Sequence, residues 1–529
     1  MKRIGILLWI CCIGTFAFSQ HPFQPQPIDV ERYIISLDLT SFSQDTITSE
    51  AQIEFTLTQP CDTVKLMLVG KNKRDMTGMH VSEVVMKELS AWKHANNQIR
   101  LAKKGGFNRG EKCRVTIYYH GLPGDGLILS TNKHGRNTAF GDNWPNRAHY
   151  WFPCIDHPSD KAYVEWMIKY PVGYKSIANG ELISSHKEDD RIVYDYWKSK
   201  VPLPTKVMVV GLANFAVSEP CWVGQTPVTS WVFEEQKTEG FSDYLVACEV
   251  LEWFEGKIAP YPYAKLANVQ SKTRYGGMEN ASCIFYFENS VDGKNSVEDL
   301  IAHEIAHQWF GNSASEIDWP HLWLSEGFAT YLTDLYILDK YGNEAFNIRM
   351  KEEREKAISF YKKYQAPVVD TLASNPNYLL NPNSYQKGAW FLHMLRNEIG
   401  DEQFWTVLKT YYLTYELSNA STQDFAKVVN RITGEDFTAF FNQWLRTTGH
   451  PKLKVKVKKR GKRLIVKVNQ EQSQAFNFNF VLSINHQNDT VEHVESIAEK
   501  STTIKLALPS KVQSVDIDPD VQLLFELLN

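Results

Sequence analysis

Two imidazoles one helical turn apart, His303 and His307 in Ile301-Ala302-His303-Glu304-Ile305-Ala306-His307-Gln308-Trp309-Phe310, share one face of any helix built from this segment and can converge on a single ion. Glu304 falls on the flank of that face, where a carboxylate can take a proton from water whose ionisation the ion brings to about pH 7. Such a pattern arises by chance in roughly a few per cent of chains this long, so the pair alone does not make a site. A third donor does more. Catalytic zinc takes three protein ligands and keeps one position open, and Glu326 in Leu324-Ser325-Glu326-Gly327-Phe328-Ala329 follows His307 with eighteen residues between. Gly311, Asn312 and Pro320 in the connection let a second helix return beside the first, and the apolar neighbours of Glu326 turn it inward. The predicted metal set is His303, His307 and Glu326, holding one Zn2+ per chain.

These groups need elements to hold them. Ser296-Val297-Glu298-Asp299 reads as a capping box opening the first helix. From about residue 240 to 447 the apolar period is helical, with Leu332, Leu335, Tyr336 and Leu338 on one face. Upstream, from about 27 to 219, short alternating runs such as Ile34 to Leu39 and Val115 to Tyr119 are separated by Gly, Pro and Asn clusters, the signature of a β-rich region. After Gly449-His450-Pro451 alternation returns. Leu453, Val455 and Val457 lead through Arg460-Gly461-Lys462 to Leu464, Val466 and Val468, a hairpin whose interleaved lysines read as a solvated face. Runs at 476–484 and 502–508 complete a small β-sandwich.

Composition narrows the class. Across 529 residues, 43% hydrophobic and 22% charged describe a folded protein of several domains. The net charge of −4 becomes more negative once Lys2 and Arg3 are removed with a leader, which argues against nucleic acid as a partner. That leader is a signal peptide over residues 1–19: two basic residues, an apolar run from Ile4 to Phe18, and small residues at 17 and 19. No later segment has the length of a membrane span, so an exported, periplasmic or extracellular protein without an integral membrane segment is expected. Export permits disulfides among Cys61, Cys113, Cys154, Cys221, Cys248 and Cys283, whose pairing the sequence leaves open. Sequons at Asn280, Asn419 and Asn488 are expected to carry no glycan.

Three ordered strings, Gly276-Gly277-Met278-Glu279-Asn280, His303 to Asn312, and Trp323-Leu324-Ser325-Glu326-Gly327-Phe328-Ala329, resemble the gluzincin aminopeptidases, the family of aminopeptidase N and leukotriene hydrolase. The likeness extends to Trp151-Phe152-Pro153-Cys154-Ile155-Asp156-His157-Pro158 and to Phe440-Phe441-Asn442-Gln443-Trp444-Leu445, and so covers most of the chain. It implies a multidomain α+β architecture: an N-terminal β-rich domain (20–220), a mainly helical, thermolysin-like zinc metallopeptidase domain (221–448) and a β-sandwich domain (449–529). It also implies hydrolysis of residues from the amino end of peptides, with Glu304 as general base and Tyr385, in Tyr385-Gln386-Lys387-Gly388-Ala389, as the donor to the developing oxyanion. By the same resemblance Gly276, Gly277, Met278 and Glu279 bind substrate. The glycines admit a peptide backbone and the Glu279 carboxylate pairs with a free α-ammonium.

This sequence departs from the family in two places. A Gln or Glu that helps bind the amino terminus usually stands nine positions before the Pro of the Pro-Cys motif, and Trp144 stands there. Either Glu279 works with another group, such as Asn143 or Asp142, or the selectivity for free amino ends is relaxed. The likeness closes at Asp518 to Glu526, implying a short form lacking the large C-terminal helical domain, with a more open cleft that tolerates longer peptides. Rival readings are a zinc endopeptidase with the same chemistry, epoxide hydrolysis, and a non-catalytic peptide-binding protein, which would be expected to have lost Glu304 or a ligand.

Overall fold

The structure, a computed structural model, describes residues 26–528 apart from 73 and 488; the predicted signal peptide and the Asn488 sequon lie outside the described residues. In the strand Ile28–Asp38, alternate side chains (Val30, Tyr33, Ile35, Leu37) are buried while their neighbours face outward. It pairs antiparallel with Ile47–Leu57 and parallel with Lys161–Pro171 inside an eight-stranded sheet. Two smaller sheets complete the N-terminal β-rich region: three strands that include Cys61–Met67, and four that include Asn137–Gly141.

The central region is helical as its period predicts, but it is headed by a six-stranded mixed sheet that the period did not reveal. Thr226–Phe233, Leu266–Ser271 and Cys283–Phe287 run parallel, and Gly277–Met278 is the outermost strand. All six residues of Leu266–Ser271 are buried. A strand covered on both faces has no alternation to read. Phe215–Val217 and Cys221–Val223 belong to this same sheet, and Cys221 is joined by a disulfide to Cys248 in the helix Ala247–Lys257. Cys61, Cys113, Cys154 and Cys283 are free thiols.

Past the sheet come the helices Glu298–Ala306, Trp323–Tyr361, Gly388–Ile399, Asp401–Tyr415 and Thr422–Thr433. The capping box expected at 296–299 does not form. Val297 occupies the N-cap, and the Ser296 hydroxyl donates to Asp292 instead. Glu298 and Asp299 remain in the first turn, where carboxylates favour the positive end of the helix dipole. The C-terminal region is two sheets. The predicted hairpin is there, Lys452–Arg460 antiparallel to Arg463–Gln470 with Gly461 in the turn at φ 60°. Among the described residues no helix is long and apolar enough to cross a membrane.

Buried His393 ties the helices to the C-terminal region. Its Nε2 lies 2.9 Å from the Val521 carbonyl and its Nδ1 3.0 Å from the Tyr331 hydroxyl, which assigns Nε2 as donor and Nδ1 as acceptor of a neutral ring. Burial, with smaller effects from Arg396 and Arg354, pushes its pKa down to about 4. Between pH 6.5 and about 4 the unfolded chain therefore binds a proton that the folded one refuses, so stability falls as pH falls through that window, by roughly 3 kcal/mol in all. Thermal unfolding of the wild type and His393→Gln across pH 4–7 checks this. The variant should lose about one proton's worth of slope, and equal slopes would reject the assignment.

Candidate active site

Helix Glu298–Ala306 presents His303 and, at its end, His307; the helix that begins at Trp323 presents Glu326 from its first turn. The two Nε2 atoms are 3.1 Å apart, and Glu326 Oε2 lies 3.2 Å from that of His307 and 3.5 Å from that of His303. The three donor atoms thus meet as the spacing predicts, and this His/His/Glu cluster can coordinate a metal ion. His307 Nδ1 stands 3.1 Å from the Phe310 carbonyl and 3.0 Å from the Ser325 hydroxyl. Donation to that carbonyl keeps the hydrogen on Nδ1 and turns the Nε2 lone pair to the cluster.

The charges around the cluster fit a cation. Three carboxylates, Glu279, Glu304 and Glu326, are each at most 5% exposed within one cleft. Burial, reinforced by the charges of Glu279 and Glu326, pushes the Glu304 pKa well above the usual carboxylate range, and burial likewise raises Glu279. For Glu326, burial acts upward but His307 and His303 hold it far below the usual range. For His307, burial acts downward, yet Glu326, Glu279 and Glu304 raise it to about 9. Left to protons alone, this cleft must hold a proton on an imidazole and keep carboxyls neutral. A divalent ion held by the three donors would supply positive charge in their midst.

Glu304 is packed against Gly277. A Cβ at 277 would sit 2.3 Å from Glu304 Oε1, so only glycine lets the edge strand approach the carboxylate so closely. Gly277 and Met278 pair with Tyr286 and Phe285 on one side only, which leaves the outer edge of the sheet toward the cleft. Gly276 continues this segment into the adjoining part of the cleft. Glu279 follows, with Oε1 buried and without a hydrogen-bond partner. Its backbone carbonyl accepts from Gln308 at 2.9 Å and Asn312 at 2.6 Å. Sequence reasoning assigned these two side chains no role, yet they fix the glycine segment to the histidine helix. Their place just after His307 in the motif string was the available signal. Tyr385 sits in a π-helical turn, Asn383–Lys387, with its ring stacked on His303 at a centroid distance of 6.0 Å. Burial, then the charges of Glu326, Glu279 and Glu304, raise the phenol pKa well above 10, so it remains an O–H donor at any ordinary pH.

Trp144 lines the same cleft as Glu279. Neither of its neighbours is free to help bind an ammonium group. The Asn143 amide donates to the Thr205 and Met208 carbonyls and its oxygen accepts from the Trp151 indole. Asp142 is bound by Arg147 at 2.6 Å and by the Arg274 backbone N–H at 3.2 Å. Both are fully buried and neither lines the cleft, so of the alternatives left open for residues 142–144 the helper role falls away. Two lysines of the N-terminal region brace the motif from behind. Lys161 donates to the Asn312 and Ser313 carbonyls, and Lys206 forms a fully buried pair with Glu316 at 2.6 Å. Asn280 is fully buried, which excludes a glycan there in the folded protein.

Comparison with known proteins agrees with this arrangement. Residues 243–444 match the Peptidase family M1 domain and residues 30–207 the Peptidase M1 N-terminal domain, together well over half of the chain. Among curated relatives, "Probable aminopeptidase 1" of Sulfurisphaera tokodaii is 26% identical over 81% of this chain and 54% of its own length. "Leucyl aminopeptidase" of Saccharolobus solfataricus is 26% identical over 64% of this chain and 43% of its own, and "Glutamyl aminopeptidase" of Sus scrofa 26% identical over 73% and 43%. The chain spans about half the length of these relatives, or less. With both family regions matched in order and the His/His/Glu cluster assembled between two helices of the second, the chain belongs to peptidase family M1.

Proposed function

We propose that this chain is an exported zinc aminopeptidase of the aminopeptidase N and leukotriene hydrolase type, acting on peptides with a free amino terminus. The observation that carries the reading is Glu279, a buried carboxylate with an unpartnered oxygen in the same cleft as the metal-binding cluster. The relatives named above, all aminopeptidases, support it.

In this reading His303, His307 and Glu326 hold the ion, which when bound supplies Lewis acidity that polarises the scissile carbonyl and makes water ionise near neutral pH. Glu279 pairs with the substrate α-ammonium and sets the cleavage point one residue in. The free edge of Gly277–Met278 hydrogen-bonds the extended peptide as an added strand. Glu304 takes the proton of the attacking water and passes it to the leaving amine. The Tyr385 hydroxyl donates to the carbonyl oxygen as negative charge grows there, so Tyr385→Phe is expected to lower kcat by roughly 10²-fold with a smaller change in KM. An unchanged kcat would remove Tyr385 from the mechanism.

A zinc endopeptidase is the second reading, favoured by Trp144 where a second group for the ammonium is expected. One experiment separates them. A peptide and its amino-acetylated copy are digested and the products identified by mass: the aminopeptidase reading expects stepwise loss from the free peptide and little attack on the copy. Equal internal cleavage of both would sink it.

A further inference from the structure

The His/His/Glu cluster lines one cavity, and His303 also lines a second that adjoins it. One, of about 60 Å³, contains Glu279, Met278 and Trp144; the other, wider at about 420 Å³, contains Thr330, Arg349 and Glu353. Tyr275, Gly277, His303, Glu304 and Tyr385 line both. If Glu279 holds the amino end in the first cavity, the portion beyond the scissile bond must enter the second. This step rests on the aminopeptidase reading above.

The second cavity has a distinctive wall. Glu353 is 27 residues beyond Glu326, and one straight helix between them would put it about 40 Å away. Gly342, at φ 84° and ψ 179°, breaks the segment instead, a conformation open essentially to glycine alone. The second arm folds back, and Arg349 on it bonds Asp334 on the first arm at 2.7 Å and also pairs with Asp299 at the start of the histidine helix. Arg349 is thereby committed to two carboxylates. Glu353, only 6% exposed, receives Lys356 on Oε1 at 3.0 Å from the solvent side, while its Oε2 is buried without a partner. A buried carboxylate oxygen left without a donor is costly unless water or a ligand completes it, and the cavity beside Glu353 has room for a ligand.

We propose that Glu353 is a specificity residue for the substrate residue following the scissile bond, and that it selects a basic side chain, Lys or Arg, at the second position of the peptide. A charge-assisted hydrogen bond to a largely desolvated carboxylate favours that residue over alanine by about tenfold or more in kcat/KM, and over glutamate by a wider margin.

The test uses the full chain with bound zinc and a peptide series Ala-Xaa-Ala-Ala-amide, with Xaa Lys, Arg, Ala or Glu, measuring release of the first alanine. The expected result is a Lys:Ala ratio of kcat/KM near ten or above in the wild type. The ratio should fall to within about twofold in Glu353→Gln and reverse toward Xaa Glu in Glu353→Lys. Cleavage of the Ala-Ala peptide with a wild-type Lys:Ala ratio near one overturns the assignment, and so does a high ratio that survives Glu353→Gln. Failure to cleave any member of the series would instead strike the aminopeptidase reading, and this inference with it. The wild-type series needs no variant to fold.

Discussion

Glu304→Gln is expected to retain zinc at one per chain and to lose roughly 10³-fold in kcat, the scale of a general base removed from proton transfer. Glutamine has the shape of glutamate, so it fits the space beside Gly277 that no larger change would respect. Stability distinguishes chemical loss from damage. Burial raises the Glu304 pKa well above the usual range, so above about pH 4.5 the folded state holds a proton that the unfolded chain has released. Such a group destabilises the metal-free protein increasingly as pH rises toward its folded pKa. A neutral amide removes that penalty, and metal-free Glu304→Gln is expected to unfold at the same temperature as the wild type or higher. Turnover within tenfold of the wild type would show that Glu304 is not the base.

Removal of the metal is expected to have the other large effect. Exhaustive chelation should abolish hydrolysis, and stoichiometric zinc should restore it. A ligand that binds only the folded state stabilises it by about 4 kcal/mol when present at a thousand times its dissociation constant, so the same titration should raise the unfolding temperature. Glu326→Gln should lower both zinc content and the zinc-dependent rise, because it replaces the one anionic donor of the three with a neutral amide and removes the charge that lifts His307 to about 9. Metal analysis beside calorimetry reads all of this. Full activity after complete metal removal would overturn the role given to the cluster.

Local geometry accounts for what could be read without coordinates. A turn of helix is about 5.4 Å, so His303 and His307 had to share a face whatever surrounded them. The alternation around Gly461 dictated a hairpin in the same way, and the buried faces of Ile28–Asp38 follow from its pattern of two. Glu326 was legible because its neighbours are apolar enough to force it inward. The capping box failed at this same level, since the Ser296 hydroxyl found a competing acceptor in Asp292, four residues away.

Contacts between segments far apart in the chain were beyond such reasoning. The clamp of Gln308 and Asn312 on the Glu279 carbonyl, the commitment of Asp142 to Arg147, and the bracing of the motif by Lys161 and Lys206 depend on which surfaces the topology brings together. The mixed sheet was hidden because two of its parallel strands, Leu266–Ser271 and Cys283–Phe287, are buried on both faces and carry no period. The sequence by itself determined the His/His/Glu cluster and the helices that present it. Only the tertiary structure decided what Trp144 stands beside, and that Gly342 returns Glu353 to the cleft, because one backbone torsion redirects an entire helical arm while leaving its local pattern unchanged.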